Sequence, residues 1–281
     1  MNCQICGGRP RTVFLKDRNV SCGDYFEGRR IYDANLGEIA LLECAECGFG
    51  YFGEMHGWPE ERFRNEIYNG DYHLCDAPFR EERPKKLAAW LARNLCPCDL
   101  VDFGGGQGRL AELLVERGFR AYSYDPYYSE KRLPVDTADV VTAFEVIEHV
   151  PDQWNLFRSL RTLCRPDGII LFSTLIKSKH LTNDWWYASP RNGHVSFHTT
   201  DSLKRMMAEC GLASISLSHE IHVAAPQASA LSSAANWQTV TITDTPRYMF
   251  TDRWWRLVPT SSWEDEEVGH DPVHQQSIVT R

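Results

Sequence analysis

A chain of 281 residues, 43% hydrophobic and 12% aromatic, holds enough apolar material for an α/β domain plus a small appendage, which excludes wholesale disorder. Its net charge of −8 leaves no overall electrostatic footprint for nucleic acid or an anionic membrane. No apolar run approaches the roughly 20 residues that span a bilayer, and the first residues, Met-Asn-Cys-Gln-Ile-Cys, do not read as a signal peptide. A reducing cytoplasm is the expectation, so the ten cysteines read as metal ligands and free thiols.

Residues 1–55 are glycine-rich and broken into short pieces, with Cys3-x-x-Cys6 at one end and Cys44-x-x-Cys47-Gly48 at the other. Between them Glu38–Cys44 reads as a strand leading into the second pair. Two such pairs give the four thiolates of a tetrahedral Zn2+ site, structural because no coordination position stays open. Cys22 is an alternative to one of the four, and redox-active or merely buried thiols are the other reading. Six Lys/Arg stand against seven Asp/Glu in residues 1–50, a near-neutral surface unsuited to clamping phosphates.

A charged connector, 56–84, carries Tyr68 and Tyr72. Regular patterning begins at about Lys85, with Leu87, Trp90, Leu91 and Leu95 on one helical face. Leu100–Phe103 is a strand running into Gly104-Gly-Gly-Gln-Gly108, and Leu110, Leu113 and Leu114 line a helix that Gly118 ends. Strands follow at 121–125, 138–144 and 169–173, with a helix from about Asp152 to Cys164 between the last two. A helix at 201–210 and strand-like segments at 213–224 and 236–243 complete the pattern, and 248–281 reads as a loosely attached tail. Strands alternating with helices predict a Rossmann-like, mostly parallel sheet with helices on both faces, occupying 85–247.

A strand that ends in a glycine-rich loop and opens a helix lets the backbone approach a ligand at the carboxyl edge of the sheet. Arg109 stands where the dinucleotide fingerprint needs its third glycine, which disfavours NAD. The run Asp102-Phe-Gly104-Gly105-Gly106-Gln-Gly108 resembles motif I of the class I S-adenosylmethionine (SAM)-dependent methyltransferases. Asp139–Pro151 and Arg165–Phe172 resemble that family's fourth-strand motif and the helix–strand turn after it. The resemblance implies that Asp102 and the backbone of Gly104, Gly105 and Gly106 meet the aminoacyl end of SAM. It also implies that Asp125, followed by Pro126, accepts from the ribose hydroxyls and that Glu145 helps position the cofactor. The stretch from Asp125 to Asp139 departs from the family: the usual helix and third strand do not fit, unless Leu133–Val135 is a remnant. Tyr127, Asp136 and Thr137 are the candidates there for contacting adenine.

Glu145, Glu148 and His149 stand at i, i+3 and i+4, so one helical turn would project all three from one face beside the methyl donor. The spacing resembles the metal motif of ubiquinone-pathway O-methyltransferases and small-RNA 2′-O-methyltransferases, in which a later histidine, here best matched by His194, completes the site. Mg2+ or Mn2+ would suit carboxylate and imidazole ligands. The alternative is acid–base work by His149 or His194. Trp185, Trp186 and Tyr187 read as a substrate lid before His194. Cysteine ribbons of this kind resemble those preceding methyltransferases that act on sugars and other small metabolites. The expected function is therefore methyl transfer from SAM to a small-molecule hydroxyl. A non-catalytic methyltransferase-fold partner module and an RNA 2′-O-methyltransferase are the competing readings.

Overall fold

The computed structural model describes residues 2–232 apart from 34, 77–78, 127–132, 134 and 179–180, together with 234 and 237. The amino-terminal part contributes strand β1 (Pro10–Asp17), helix α1 (Cys22–Glu27) and strands β2 (Glu38–Cys44) and β3 (Gly50–Phe52). Helix α1 starts on a reciprocal cap: Ser21 accepts from the Asp24 amide while the Asp24 carboxylate accepts from the Ser21 amide. Short helices α2 (Glu60–Glu66) and α3 (His73–Asp76) lead to α4 (Phe79–Asn94). Helix α4 begins well before Lys85 and contains Pro84, so the proline costs a hydrogen bond early in the helix and does not set its start.

Then come β4 (Asp99–Phe103), α5 (Arg109–Val115), β5 (Arg120–Tyr124), β6 (Ala138–Ala143), α6 (Gln153–Leu163), β7 (Cys164–Ser173), β8 (Ser196–Phe197), α7 (Thr200–Glu209), β9 (Ala213–Ser216) and β10 (Ile221–Ala225). The larger sheet runs β5-β4-β6-β7-β10-β9. Its β5, β4, β6 and β7 are parallel, and the β9–β10 hairpin adds two antiparallel strands at one edge. The segment 213–224 is therefore two strands joined by a turn at 217–220. Among the described residues no strand lies between Asp125 and Ala138. Strand β7 starts earlier than Ile169: Cys164 pairs with Ala138, pairing resumes at Val140 with Ile169, and Arg165–Gly168 bulges out between them.

Helices cover both faces. On one, Leu156, Phe157 and Leu160 of α6 and Leu203, Met206 and Met207 of α7 pack on Val141, Ile170 and Phe172. On the other, Leu87, Trp90 and Leu91 of α4 and Leu110, Leu113 and Leu114 of α5 pack on Leu100, Val140 and Leu171. The smaller sheet, β1-β2-β3-β8, is antiparallel and takes its last strand from late in the chain. Cys3, Ile5, Phe49 and Tyr51 share the α6–α7 core, so the cysteine region is packed into the same core as the large sheet.

Trp185, Trp186 and Tyr187, expected as a lid, are at most 5% exposed and lie in a core with Phe52, Phe63 and Phe197. Their apolar area is worth more buried than as a movable flap. The expected strand at 236–243, apart from Trp237, and the tail at 248–281 fall outside the described residues. No helix among the described residues is long and apolar enough to cross a membrane.

Candidate functional site

The carboxyl edge of the parallel strands opens into a cleft of about 1040 Å³. Asp102, Gly104, Gly105, Gly106, Asp125, Pro126, Glu145 and His149 all line it, facing Trp58, Phe63, Tyr68 and Tyr72 from the connector. Ligand pockets run from roughly 300 to 1,000 Å³, so a cofactor and a small acceptor fit together.

The glycine loop is shaped by what it cannot hold. Gly104 has φ 73°, and a Cβ there would strike Val146; a Cβ on Gly105 would strike the Asp102 carboxylate and the Ser123 hydroxyl. The Gly106 amide donates to Asp125 Oδ2 at 2.9 Å, fixing that carboxylate at the end of β5. Asp102 is 3% exposed, and its Oδ1 accepts from Thr142 Oγ1 at 2.7 Å. Burial pushes its carboxyl up to about 7, the Thr142 hydrogen bond opposes this, and the Asp125 charge adds to it. A buried acid so close to losing its proton suits a cationic partner, and the aminoacyl end of SAM offers an ammonium. On donor chemistry and space, the cradle fits SAM. Asp136 and Thr137 lie in the short segment before β6, whereas Tyr127 is outside the described residues.

The acidic–histidine motif departs from one helical face. Glu145 has φ 55°, a left-handed conformation costly for a residue with a side chain. Its amide donates to Ser173 Oγ at 2.6 Å, and that hydroxyl donates back to Glu145 Oε1 at 2.7 Å. A 3₁₀ turn then spans Ile147–His149. The kink separates the two acids: Glu145 lines the cleft, whereas Glu148 is 0% exposed and outside the lining. A left-handed residue at the strand end breaks the helical register that would have put both on one side.

Neither Glu148 carboxylate oxygen accepts a hydrogen bond among the described residues. Burial first, and the Glu145 charge second, hold the Glu148 carboxyl well above the usual carboxylate range. His149 Nε2 lies 3.7 Å from Glu148 Oε1, and its Nδ1 is 3.2 Å from the Tyr68 hydroxyl. The His149 and His194 rings meet edge to face at 4.8 Å. His194 Nδ1 must carry its proton, because it lies 2.7 Å from the Tyr187 carbonyl, which can only accept. Nε2 is thereby left as the basic nitrogen. Burial pushes His194 down to about 4, and burial together with His194 drives His149 well below the ordinary range. Both are neutral at pH 7. One ligand atom each from Glu148, His149 and His194 lies within 4.8 Å of the others, so the three could hold a cation.

Glu145, His149 and His194 also line a small inner cavity of about 40 Å³, with Cys22, Cys75, Arg83 and Trp186. It shares Tyr72, Arg83, Glu145 and His149 with the main cleft. Tyr68, Arg83 and Ser173 were not readable as site residues. Nothing local marks them, and only the fold brings them to the motif.

Cys3, Cys6, Cys44 and Cys47 converge with their sulfurs within 4.8 Å of one another. Cys3–Cys47 is 3.7 Å and Cys6–Cys44 is 3.4 Å. A tetrahedron of Zn–S bonds of about 2.3 Å has edges of roughly 3.8 Å, so the donor set fits zinc. The contact between the Cys3 and Cys47 sulfurs lowers the Cys3 pKa and raises that of Cys47. Cys22 is not part of this cluster: its sulfur lies 3.7 Å from the Trp186 carbonyl and 4.0 Å from His194 Nδ1.

Residues 79–217, just under half of the chain, match the family model described as a methyltransferase domain. The match spans the glycine loop, Asp125, and both histidines of the motif. Residues 79–217 form a methyltransferase domain. Curated relatives of this domain include the ubiquinone biosynthesis O-methyltransferase of Stutzerimonas stutzeri, 32% identical over 125 residues, covering 35% of this chain and 53% of that protein. The protein of the same name from Acinetobacter baumannii is 28% identical over 134 residues, covering 37% and 56%. The chain spans only a little over half the length of these relatives. Among solved structures, the magnesium protoporphyrin IX methyltransferase of Synechocystis PCC 6803 is 16% identical with a TM-score of 0.42, covering 59% of this chain and 94% of that one. The 1,6-didemethyltoxoflavin-N1-methyltransferase of Burkholderia thailandensis is also 16% identical with a TM-score of 0.42, covering 69% and 96%.

Proposed function

We propose that the chain transfers a methyl group from SAM to a hydroxyl of a small-molecule acceptor, a sugar or another metabolite. The observation that carries this reading is one cleft lined by the glycine loop, Asp125, Glu145 and His149 together. Asp102 and the backbone of Gly104–Gly106 hold the aminoacyl end, Asp125 beside Pro126 holds the ribose, and Glu145 borders the methyl position. SAM, when bound, supplies a methyl group already activated on a positively charged sulfur. The chain's own work is then to align the acceptor oxygen and to take its proton. His149 is the base that reaches the cleft, with His194 behind it, and both are unprotonated at neutral pH.

A second reading places Mg2+ or Mn2+ on Glu148, His149 and His194. It is favoured by the fully buried Glu148 carboxylate, whose oxygens lack hydrogen-bond donors among the described residues. A cation there would keep Glu148 ionised and lower the acceptor's proton affinity. The four cysteines hold Zn2+ as a structural ion. An RNA acceptor is disfavoured by the net charge of −8. A non-catalytic role is disfavoured because Asp102, Asp125 and Glu145 all line the cleft.

The test is transfer of tritium from methyl-labelled SAM to a panel of phenols, catechols and glycosides, with and without EDTA. His149→Ala is expected to lower the rate about 10²–10⁴-fold. EDTA has no effect under the base reading and abolishes transfer, restorably by Mn2+, under the metal reading. Unaltered turnover in His149→Ala contradicts both.

A further inference from the structure

The first cysteine pair encloses a residue that reaches out of its own module. Gln4, between Cys3 and Cys6, donates from Nε2 to the Pro151 carbonyl at 2.9 Å and lies 3.2 Å from His56 Nδ1. Its Oε1 accepts from the Gln153 amide at 3.2 Å, and its own carbonyl accepts from Trp154 Nε1 at 2.6 Å. Three bonds from one glutamine thus join the cysteine knuckle to the residues immediately after the Glu145–His149 turn, and a fourth contact reaches His56.

The chain of contacts continues into the turn. Gln153 is 0% exposed, and its Nε2 donates to the carbonyls of Ile147, at 2.9 Å, and Val150, at 2.5 Å. Its Oε1 accepts from His198 Nε2 at 3.0 Å, which leaves the Gln153 amide one orientation. The Val195 amide donates to the Glu148 carbonyl at 2.7 Å. His56 anchors the other side: Gln4 donates to Nδ1, so Nε2 carries the proton toward the Val195 carbonyl at 3.0 Å. The carbonyls of Ile147, Glu148, Val150 and Pro151 are therefore each held by a donor outside the turn. Such a cage is what a left-handed residue at 145 requires to persist.

We propose that Gln4 is a positioning residue for the Glu145–His149 turn, so that the cysteine module sets where His149 stands in the cleft. This rests on the SAM reading above. A second-layer hydrogen bond of this sort acts through the residue that it orients.

The test uses the full, zinc-loaded chain and [methyl-13C]SAM as the probe. Gln4→Met keeps the length and shape of the side chain while removing its amide, and Gln4→Ala removes the arm altogether. Thr199→Val is the control: Thr199 Oγ1 donates to the Cys47 carbonyl at 2.6 Å, tethering the same module through its second cysteine pair instead of through Gln4. Both Gln4 variants are expected to retain zinc and wild-type SAM affinity, yet to shift and broaden the methyl resonance of bound SAM. Thr199→Val is expected to lower the melting temperature without moving that resonance. An unmoved resonance in Gln4→Met, or the same displacement in Thr199→Val, overturns the inference. Failure of the wild-type chain to bind SAM overturns the cofactor reading instead.

Discussion

Glu145 and Asp102 carry opposite kinds of cost at the same sheet edge. Glu145 adopts a strained backbone that Ser173 holds from two sides. Asp102 is a carboxylate kept out of water, with its carboxyl pushed up to about 7. The folded state therefore binds a proton that the unfolded chain releases near pH 4, and Asp102 destabilises the protein increasingly as pH rises from about 4 to 7. A bound ammonium reverses this, so SAM binding at pH 6 should release a proton, and at pH 8 should not. Calorimetry in buffers of different ionisation enthalpy checks it; buffer-independent heats at pH 6 contradict it. The same reasoning makes Asp102→Asn more stable than wild type at pH 8 in the absence of SAM. The acidic identity of both residues was legible from the motif spacing. The left-handed bend at Glu145 was not, because its cause is a serine 28 residues away.

At the scale of elements, the alternating strands and helices around 99–173 were legible because each carries its own periodicity and a glycine or proline boundary. The connector was less so. Its helices α2 and α3 are short and charged, and their stability comes from packing Phe63 and Ile67 against the small sheet and the aromatic segment and from burying Cys75. The lid reading of Trp185–Tyr187 failed for a related reason: three adjacent aromatics state that something is covered, not what covers them. The cysteine pairs were legible as a cluster, since spacing alone brings two thiols together. If they hold zinc, the double variant Cys44→Ser with Cys47→Ser should lose the metal and loosen β1–β3 more than β4–β7. Metal content by mass spectrometry and hydrogen exchange by segment test this; metal retained in the variant contradicts it.

Over the whole molecule, three histidines outside the Glu145–His149 turn set an acid limit. Burial pushes His56 down to about 4, His198 to about 3 and His222 to about 4. The unfolded chain takes up protons near pH 6.5, whereas the folded chain resists until about pH 4. The stability these histidines contribute is thus intact above pH 6.5 and lost as pH falls toward 4, on the order of 2 kcal/mol per histidine at pH 5. Urea midpoints at pH 7 and pH 5 measure the fall, and equal midpoints contradict it. The central claim, that the shared cleft is built for SAM, is tested most directly by titrating SAM into the wild-type chain and into Asp125→Ala. The account predicts saturable one-to-one binding, weakened about tenfold or more by loss of hydrogen bonds to a charged acceptor worth roughly 1.5–3 kcal/mol each. No binding by the wild-type chain, or the same affinity in both, would contradict it.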